Sequence, residues 1–234
     1  MQIRRRPCFC AGALLLVSLW SSAAAAISIA IVEQASSVSV ETTHPSGSPH
    51  SDFAEAADAS PFDAEVYVES GTGYPYSSMA KTKQTSQFGD DRILMTGRVD
   101  AWTDSFARGT ALATLVFDVT FDLLGDSNYY ASNDVSIGEY YAQSARGYLN
   151  DGQGNVLLEM NENFSGSGCL EAGRYRLELI TTARQASWRD LGWATQYFSL
   201  YLETPVPEPS TGLLVTVGLG GIAARRSRPR IAAR

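Results

Sequence analysis

The chain has 234 residues, of which 44% are hydrophobic, 10% aromatic and 18% charged, and its formal net charge is −7. This length accommodates one domain of about 150–200 residues with a sizeable core. The composition excludes a collagen-like chain, a fully disordered chain and a membrane protein with several spans. The negative charge argues against nucleic-acid binding, because proteins that bind nucleic acids carry basic patches.

The N-terminus has the three parts of a secretory signal peptide. Arginines occupy positions 4–6, and an apolar run follows at 11–20. This run is too short to cross a bilayer as a helix. Small residues then fill positions 21–26, so we expect cleavage after Ala26 and assign residues 1–26 to a signal helix. An uncleaved N-terminal anchor is the alternative.

The C-terminus, residues 205–234, also has three parts. A polar, proline-rich stretch comes first and consists of Val206, Pro207, Glu208, Pro209, Ser210 and Thr211. The apolar run 212–224 follows and predicts a single transmembrane helix, shortened relative to a typical bilayer core. The tail carries a basic cluster of Arg225, Arg226, Arg228 and Arg230. Because positive residues stay on the cytoplasmic side, the preceding domain is expected outside the membrane.

This order of parts resembles the PEP-CTERM sorting signal of exported bacterial proteins. The resemblance implies that an exosortase recognises the chain as a substrate and removes the tail near Pro207-Glu208-Pro209. It also implies delivery to the cell surface or the extracellular matrix, with transient membrane anchoring through the C-terminal helix before processing. An ordinary C-terminal anchor with a chance Pro-Glu-Pro sequence is the alternative.

Processing at both ends changes the charge of the protein. Removal of residues 1–26 and 205–234 takes away eight arginines and one glutamate, which leaves residues 27–204 with a formal net charge of −14. Such a surface repels anionic polymers and attracts cations. An anionic polysaccharide could still be engaged through bridging divalent ions. Cys169 is the one cysteine that remains, and we predict a partly buried thiol just before a strand.

The middle of the chain divides into two parts. Residues 27–61 are polar and serine-rich, which predicts a mostly flexible linker with at most a short edge strand at 38–40. From residue 62 to residue 204, apolar and polar side chains alternate with the period of a half-buried strand, and turn-forming residues separate the runs. This pattern predicts an all-β domain, an antiparallel β-sandwich that is jelly-roll-like.

No residue pattern in the chain predicts catalysis. The two histidines, His44 and His50, both lie in the predicted linker, which disfavours a histidine-based nucleophile triad or a zinc site on the domain. We therefore expect no enzyme activity, no catalytic residue, no metal and no resident cofactor. Calcium is the alternative ligand, because oxygen-bearing side chains crowd two predicted loops. These are Asp126, Asn128, Asn133 and Asp134 in one loop, and Asn150, Asp151 and Asn155 in the other.

Aromatic residues that are expected to be exposed are the remaining candidates for binding. Trp188 and Trp193 share one predicted loop, and Tyr129-Tyr130 is one of two tyrosine doublets. Flat rings stack on the apolar faces of sugars, although one member of a doublet in an alternating strand should point inward. Two functions stay open: a structural matrix protein associated with exopolysaccharide and biofilm, and a carbohydrate-binding module that is assisted by calcium or acts without it.

Overall fold

The computed structural model describes residues 28–43, 49–71, 77–103, 109–138, 143–161, 163–186 and 191–203. Regular structure in these ranges is entirely β-strand, which confirms the predicted all-β class. None of the described residues belongs to a helix that could cross a membrane. The predicted signal helix and C-terminal helix lie outside the described residues. The strands are β1 Ile29–Gln34, β2 Ser37–Thr43, β3 His50–Glu55, β4 Asp63–Gly71, β5 Ser77–Gly89, β6 Arg92–Thr103, β7 Thr110–Leu123, β8 Ser127–Ile137, β9 Gln143–Asp151, β10 Val156–Asn161, β11 Phe164–Leu170, β12 Gly173–Gln185 and β13 Leu191–Glu203.

The strands form two antiparallel sheets. The first sheet has the order β10-β9-β12-β7-β2-β3, and β1 pairs with β7 beyond the end of β2. The second sheet has the order β11-β8-β13-β6-β5-β4. The chain passes from one sheet to the other between β3 and β4, and again after β6, β7, β8, β10, β11 and β12. Both sheets contribute to one hydrophobic core, so the architecture is sandwich-like, as predicted.

The core consists of side chains that alternate along the long strands. In β7 every second residue from Ala111 to Leu123 is buried, and the residues between them are partly exposed. This alternation is typical of an antiparallel sheet with one dry and one solvated face. Phe117 of β7 and Phe88 of β5 face each other across the sandwich, with ring centroids 6.4 Å apart. This contact therefore packs β5 of the second sheet against β7 of the first.

A series of buried hydrogen-bonded side chains also joins the two sheets. The Thr181 hydroxyl of β12 donates a hydrogen bond to the side-chain oxygen of Gln196 on β13. Gln196 Nε2 in turn donates to Asn133 Oδ1 on β8, at 2.8 Å. All three side chains are at most 1% exposed. Because buried polar groups need partners, these two hydrogen bonds fix how β12 lies over β13 and β8.

The segment 27–61, predicted as a flexible linker, instead contributes β1, β2 and β3 to the first sheet. Val38 and Val40 of β2 are buried in the core, so the face of β2 that carries these two side chains points inward. Between β1 and β2, Ala35 N donates to Asp118 O, and Asp118 N donates to Ser36 Oγ. The Ser36 hydroxyl thus accepts a hydrogen bond from the β7 backbone in place of a backbone carbonyl of the neighbouring strand. Polar side chains dominate this segment because its strands have solvated outer faces.

Two further strands differ from the prediction. Residues 126–134, predicted as a loop, lie mostly in β8. Cys169, predicted to precede a strand, lies within β11, an edge strand. The predicted alternation also fails at the start of β10, where Val156 is 58% exposed. The pairing of β10 with β9 shifts register between Val156 and Leu158, and a bulge of this kind interrupts the alternation of faces.

Gly97 of β6 is a position where the sandwich leaves no room for a side chain. A Cβ there would lie 2.2 Å from Leu115 Cδ1 and 3.3 Å from Met95 Sδ. We expect Gly97→Ala to lower the free energy of unfolding by about 1–3 kcal/mol, because the core must shift to accept the methyl group. Urea unfolding followed by circular dichroism measures the change.

Gly125 provides the matched control, since nothing lies within 4 Å of a Cβ at that position. Gly125→Ala should leave the free energy of unfolding within about 0.5 kcal/mol of the parent protein. Equal unfolding midpoints for the two alanine variants would contradict the close packing of β6 against β7.

Candidate functional site

The outer face of the second sheet carries an aromatic row beside a hydroxyl row. Residues that pair directly across antiparallel strands point to the same face of the sheet. Two such sets cross β11, β8 and β13 in adjacent positions along the strands. They are the tyrosine row, made of Ser167, Tyr130 and Tyr201, and the serine row, made of Ser165, Ser132 and Ser199.

The two rows line an open groove of about 440 Å³. Tyr130 and Tyr201 are 50% and 43% exposed, so much of each side chain is open to solvent. The Ser132 and Ser199 hydroxyl groups share a hydrogen bond of 2.8 Å. Hydroxyls both donate and accept hydrogen bonds, and tyrosine rings add flat apolar surface. The groove can therefore hold a ligand that is polar at its edges and apolar on its faces.

The composition of β11 keeps this groove open. Gly166 and Gly168 alternate with the two outward serines of the strand. A Cβ at Gly166 would lie 2.5 Å from the Phe164 ring, and one at Gly168 would lie 2.8 Å from the Tyr129 ring. The glycines thus let two aromatic rings pack directly against the backbone. The outward serines are small enough to leave space beside the tyrosine row.

The tyrosine doublet of β8 follows the predicted alternation. Tyr129 is partly buried and contacts the inward-facing side of β11, whereas Tyr130 points outward. The other tyrosine doublet, at 140–141, lies outside the described residues. The Tyr130 ring therefore lies on the outer surface, and the Tyr129 ring packs against β11.

The lining of the groove is uncharged, and charged side chains flank it. Arg92 on β6 pairs directly with Tyr201 and so extends the tyrosine row. Asp134 lies two residues beyond Ser132 on β8, and Glu203 lies two residues beyond Tyr201 on β13. Because side chains alternate, both carboxylates share the face of the groove. Two negative charges and one positive charge therefore flank an uncharged site.

Trp193, one of the two tryptophans proposed for binding, lies on β13 and is partly buried. Its indole nitrogen would be 2.8 Å from a Cβ at Gly138, so the ring packs against that glycine. Tyr201 is eight positions after Trp193 on the same strand, which is about 26 Å at the usual rise of a strand. Trp193 is therefore remote from the groove. Trp188 lies outside the described residues.

An ion pair lies beside Trp193 on the same face. Arg98 Nε donates to Asp100 Oδ2 at 2.9 Å, and Arg98 Nη2 donates to Asp100 Oδ1 at 2.9 Å. Asp100 is 8% exposed and pairs with Trp193 in the strand register. The hydrogen bonds to this carboxylate raise the pKa of Arg98. The guanidinium thus neutralises a nearly buried carboxylate and anchors this part of the face.

The structure does not bring together the first set of calcium candidates. Asn133 is buried between the sheets, whereas Asp134 points to the opposite face of β8. Asp126 Oδ1 accepts a hydrogen bond from Ala172 N at 2.9 Å, so this carboxylate fixes the start of β12. Among the described residues, no group of three histidine, cysteine, aspartate or glutamate side chains is placed to hold a metal ion.

The second set of calcium candidates builds a hairpin turn. Asp151 Oδ1 accepts hydrogen bonds from the backbone nitrogens of Gln153 and Asn155, each at 2.9 Å. Asn155 Nδ2 donates to Asp151 Oδ2 at 2.8 Å, and these contacts lower the pKa of Asp151. Gly154 has φ of +86°, a conformation that glycine adopts without strain. Local turn chemistry thus occupies the carboxylate.

Cys169 differs from its prediction, since it is exposed and lies within β11. Its Sγ donates to Asn128 Oδ1 at 3.1 Å across the β11–β8 pair. Cys169 points to the outer face of the second sheet, and no element among the described residues covers that face at β11.

The predicted sorting residues, from Val206 to Thr211, and the basic cluster that begins at Arg225 lie outside the described residues. Comparison with protein families supplies evidence for this segment. The PEP-CTERM protein-sorting motif matches residues 205–228, which confirms the predicted motif. The motif implies an exported protein that is anchored in the membrane and then processed by an exosortase.

Comparison with other proteins adds two distant likenesses. TmCBM61, solved in complex with beta-1,4-galactotriose, is similar over 59% of this chain and 88% of its own, with 13% identity and a TM-score of 0.26. The GH31 alpha-xylosidase from Xanthomonas citri is similar over 76% of this chain and 32% of its own, with 9% identity and a TM-score of 0.23. No curated protein matches the sequence. At these TM-scores neither likeness carries an argument about function.

Proposed function

We propose that the protein is a structural component of the cell surface or extracellular matrix that associates with exopolysaccharide in a biofilm. An exosortase processes its C-terminal signal, and a C-terminal helix anchors it in the membrane until then. The role is non-enzymatic and requires no cofactor. The sorting motif at residues 205–228 is the observation that carries this proposal, because it implies export from the cell, and an exported protein can meet exopolysaccharide.

Two properties of the domain support the proposal. The processed chain, residues 27–204, has a net charge of −14, which keeps the exported protein soluble. Its outer face presents an uncharged groove with aromatic and hydroxyl side chains rather than a cluster of perturbed acids and bases. Enzyme sites concentrate residues with shifted pKa values in a cleft. The groove instead has the chemistry of a binding surface.

Retention in the matrix tests this function. We expect the processed protein to appear in the matrix fraction of its host, and the full-length protein to remain in the membrane of a strain without exosortase. In a strain that makes no exopolysaccharide, the protein should still be processed but should move to the medium. Fractionation and mass spectrometry of the recovered protein measure both outcomes.

A reporter protein placed between residues 1–26 and 205–234 is the matched control, because it keeps the sorting signals and lacks the domain. This reporter should be processed and should enter the medium in all strains that contain the exosortase. If the natural protein stays in the matrix fraction of the strain without exopolysaccharide, association with that polymer is excluded.

A carbohydrate-binding module is the second candidate function. The groove favours it, since Tyr130 and Tyr201 place two partly exposed rings beside a row of hydroxyl groups. The two functions differ in what binding requires. A module binds a defined glycan saturably through named residues, whereas a purely structural component is retained through many weak contacts.

A further inference from the structure

We propose that the groove between the tyrosine row and the serine row binds an uncharged polysaccharide, with the polymer passing through the groove rather than ending in it. This inference rests on the proposed association with exopolysaccharide and assigns it to a site and a ligand class. The site differs from the Trp188 and Trp193 pair that the sequence indicated.

The chemistry of the lining fits a sugar ring. A pyranose carries hydroxyl groups around its edge and apolar C–H groups on its faces. Tyr130 and Tyr201 supply aromatic surface for such faces, and their Cβ atoms are about 5 Å apart because the two residues pair directly. The three serines alongside supply small groups that both donate and accept hydrogen bonds.

The charges around the groove select an uncharged polymer. Its lining has no charge, Asp134 and Glu203 flank it on the same face, and the processed chain carries −14 overall. A polymer of uronic acids would meet both carboxylates and the field of the whole protein. The single positive charge of Arg92 beside Tyr201 does not offset this repulsion.

Both ends of the groove are open, which favours binding of an internal segment of a polymer over binding of a chain end. At one end lies β11, an edge strand whose outward residues are Ser165, Ser167 and the exposed Cys169. At the other end the serine row continues through Leu94 of β6 to Gln87 of β5, which is exposed. No bulky row among the described residues closes either end of this path. A chain can therefore cross the sheet at right angles to the strands.

Affinity electrophoresis of the processed protein tests the assignment. Native gels are cast with one polysaccharide each: a soluble β-glucan, a galactomannan, a dextran, or alginate with and without calcium. We expect at least one uncharged polymer to retard the protein. Tyr130→Ala and Tyr201→Ala should each weaken the retardation about tenfold, the equivalent of about 1.4 kcal/mol.

Tyr67→Ala is the matched control, because Tyr67 is a 48% exposed tyrosine on β4 of the same sheet, at the far side from the groove. This variant and Trp193→Ala should be retarded like the parent protein. Circular dichroism and thermal unfolding of every variant separate loss of binding from loss of folding.

Three results would overturn the inference. They are retardation by none of the uncharged polymers, retardation that survives both groove substitutions in folded protein, and retardation by alginate alone. Matrix retention in the host is measured separately. A protein that is retained there and yet fails this test leaves the proposed function standing and removes only the groove assignment.

Discussion

Replacement of Phe117 by alanine is expected to lower the free energy of unfolding by about 3–5 kcal/mol. Phe117 is fully buried, and its ring lies 6.4 Å from that of Phe88 in the other sheet. The substitution removes apolar surface and leaves a cavity at the point where the two sheets meet. Urea unfolding of the processed protein, followed by fluorescence and circular dichroism, measures the loss.

The adjacent residue, Asp118, provides the control for which face of β7 points into the core. Asp118 faces outward, where Arg176 Nε donates a hydrogen bond to Asp118 Oδ1 at 2.8 Å. This hydrogen bond to the carboxylate raises the pKa of Arg176. Arg176 is half-exposed, so solvent weakens this ion pair, and Asp118→Ala should cost about 1 kcal/mol or less. Equal losses for the two alanine variants would contradict the assignment of the inward face of β7.

The long strands could be predicted from the sequence because their alternation is strong. Five large apolar residues from Leu115 to Leu123 occupy every second position of β7, and all of them are buried. A run of this kind has one arrangement that hides its apolar side chains, so local sequence determines its faces. The same argument holds for β12 and β13, which lie next to β7 and at the centre of the second sheet.

The strands near the edges could not be predicted in this way. In β2 only Val38 and Val40 carry the inward pattern as large apolar residues, and in β11 glycines take the two inward positions between Phe164 and Leu170. Asn133 of β8 points inward although it is polar, because Gln196 offers it a buried partner. Such residues are stable in strands through contacts from distant parts of the chain, and these contacts leave no local pattern.

The groove was missed for a related reason. Tyr130 and Tyr201 are 71 positions apart in the sequence and become neighbours only through the register of β8 with β13. Nearness in sequence favoured Trp188 and Trp193 instead. The one available signal was the doublet at 129–130, since its alternation required one exposed ring. The sorting motif, by contrast, is contiguous, so its residues could be recognised without any knowledge of the fold.

Replacement of Pro207-Glu208-Pro209 by three alanines is expected to block release of the protein while leaving its membrane insertion intact. The two prolines restrict the backbone around Glu208 to extended conformations, which suit the active site of a protease at the membrane surface. The charge of Glu208 keeps this segment in water while the apolar run 212–224 enters the lipid. We therefore expect insertion to depend on that run alone and processing to depend on both parts.

Deletion of residues 225–234 should have a different effect, because it removes the positive charges that are predicted to hold the C-terminus in the cytoplasm. This variant should lose its orientation, whereas the triple-alanine variant should accumulate as a correctly oriented, full-length membrane protein. Mass spectrometry and membrane fractionation in a host with its exosortase distinguish the two. If the triple-alanine variant is shortened and released like the parent protein, the prolines and Glu208 are not what the exosortase reads, and cleavage must depend on the apolar run and the arginine tail.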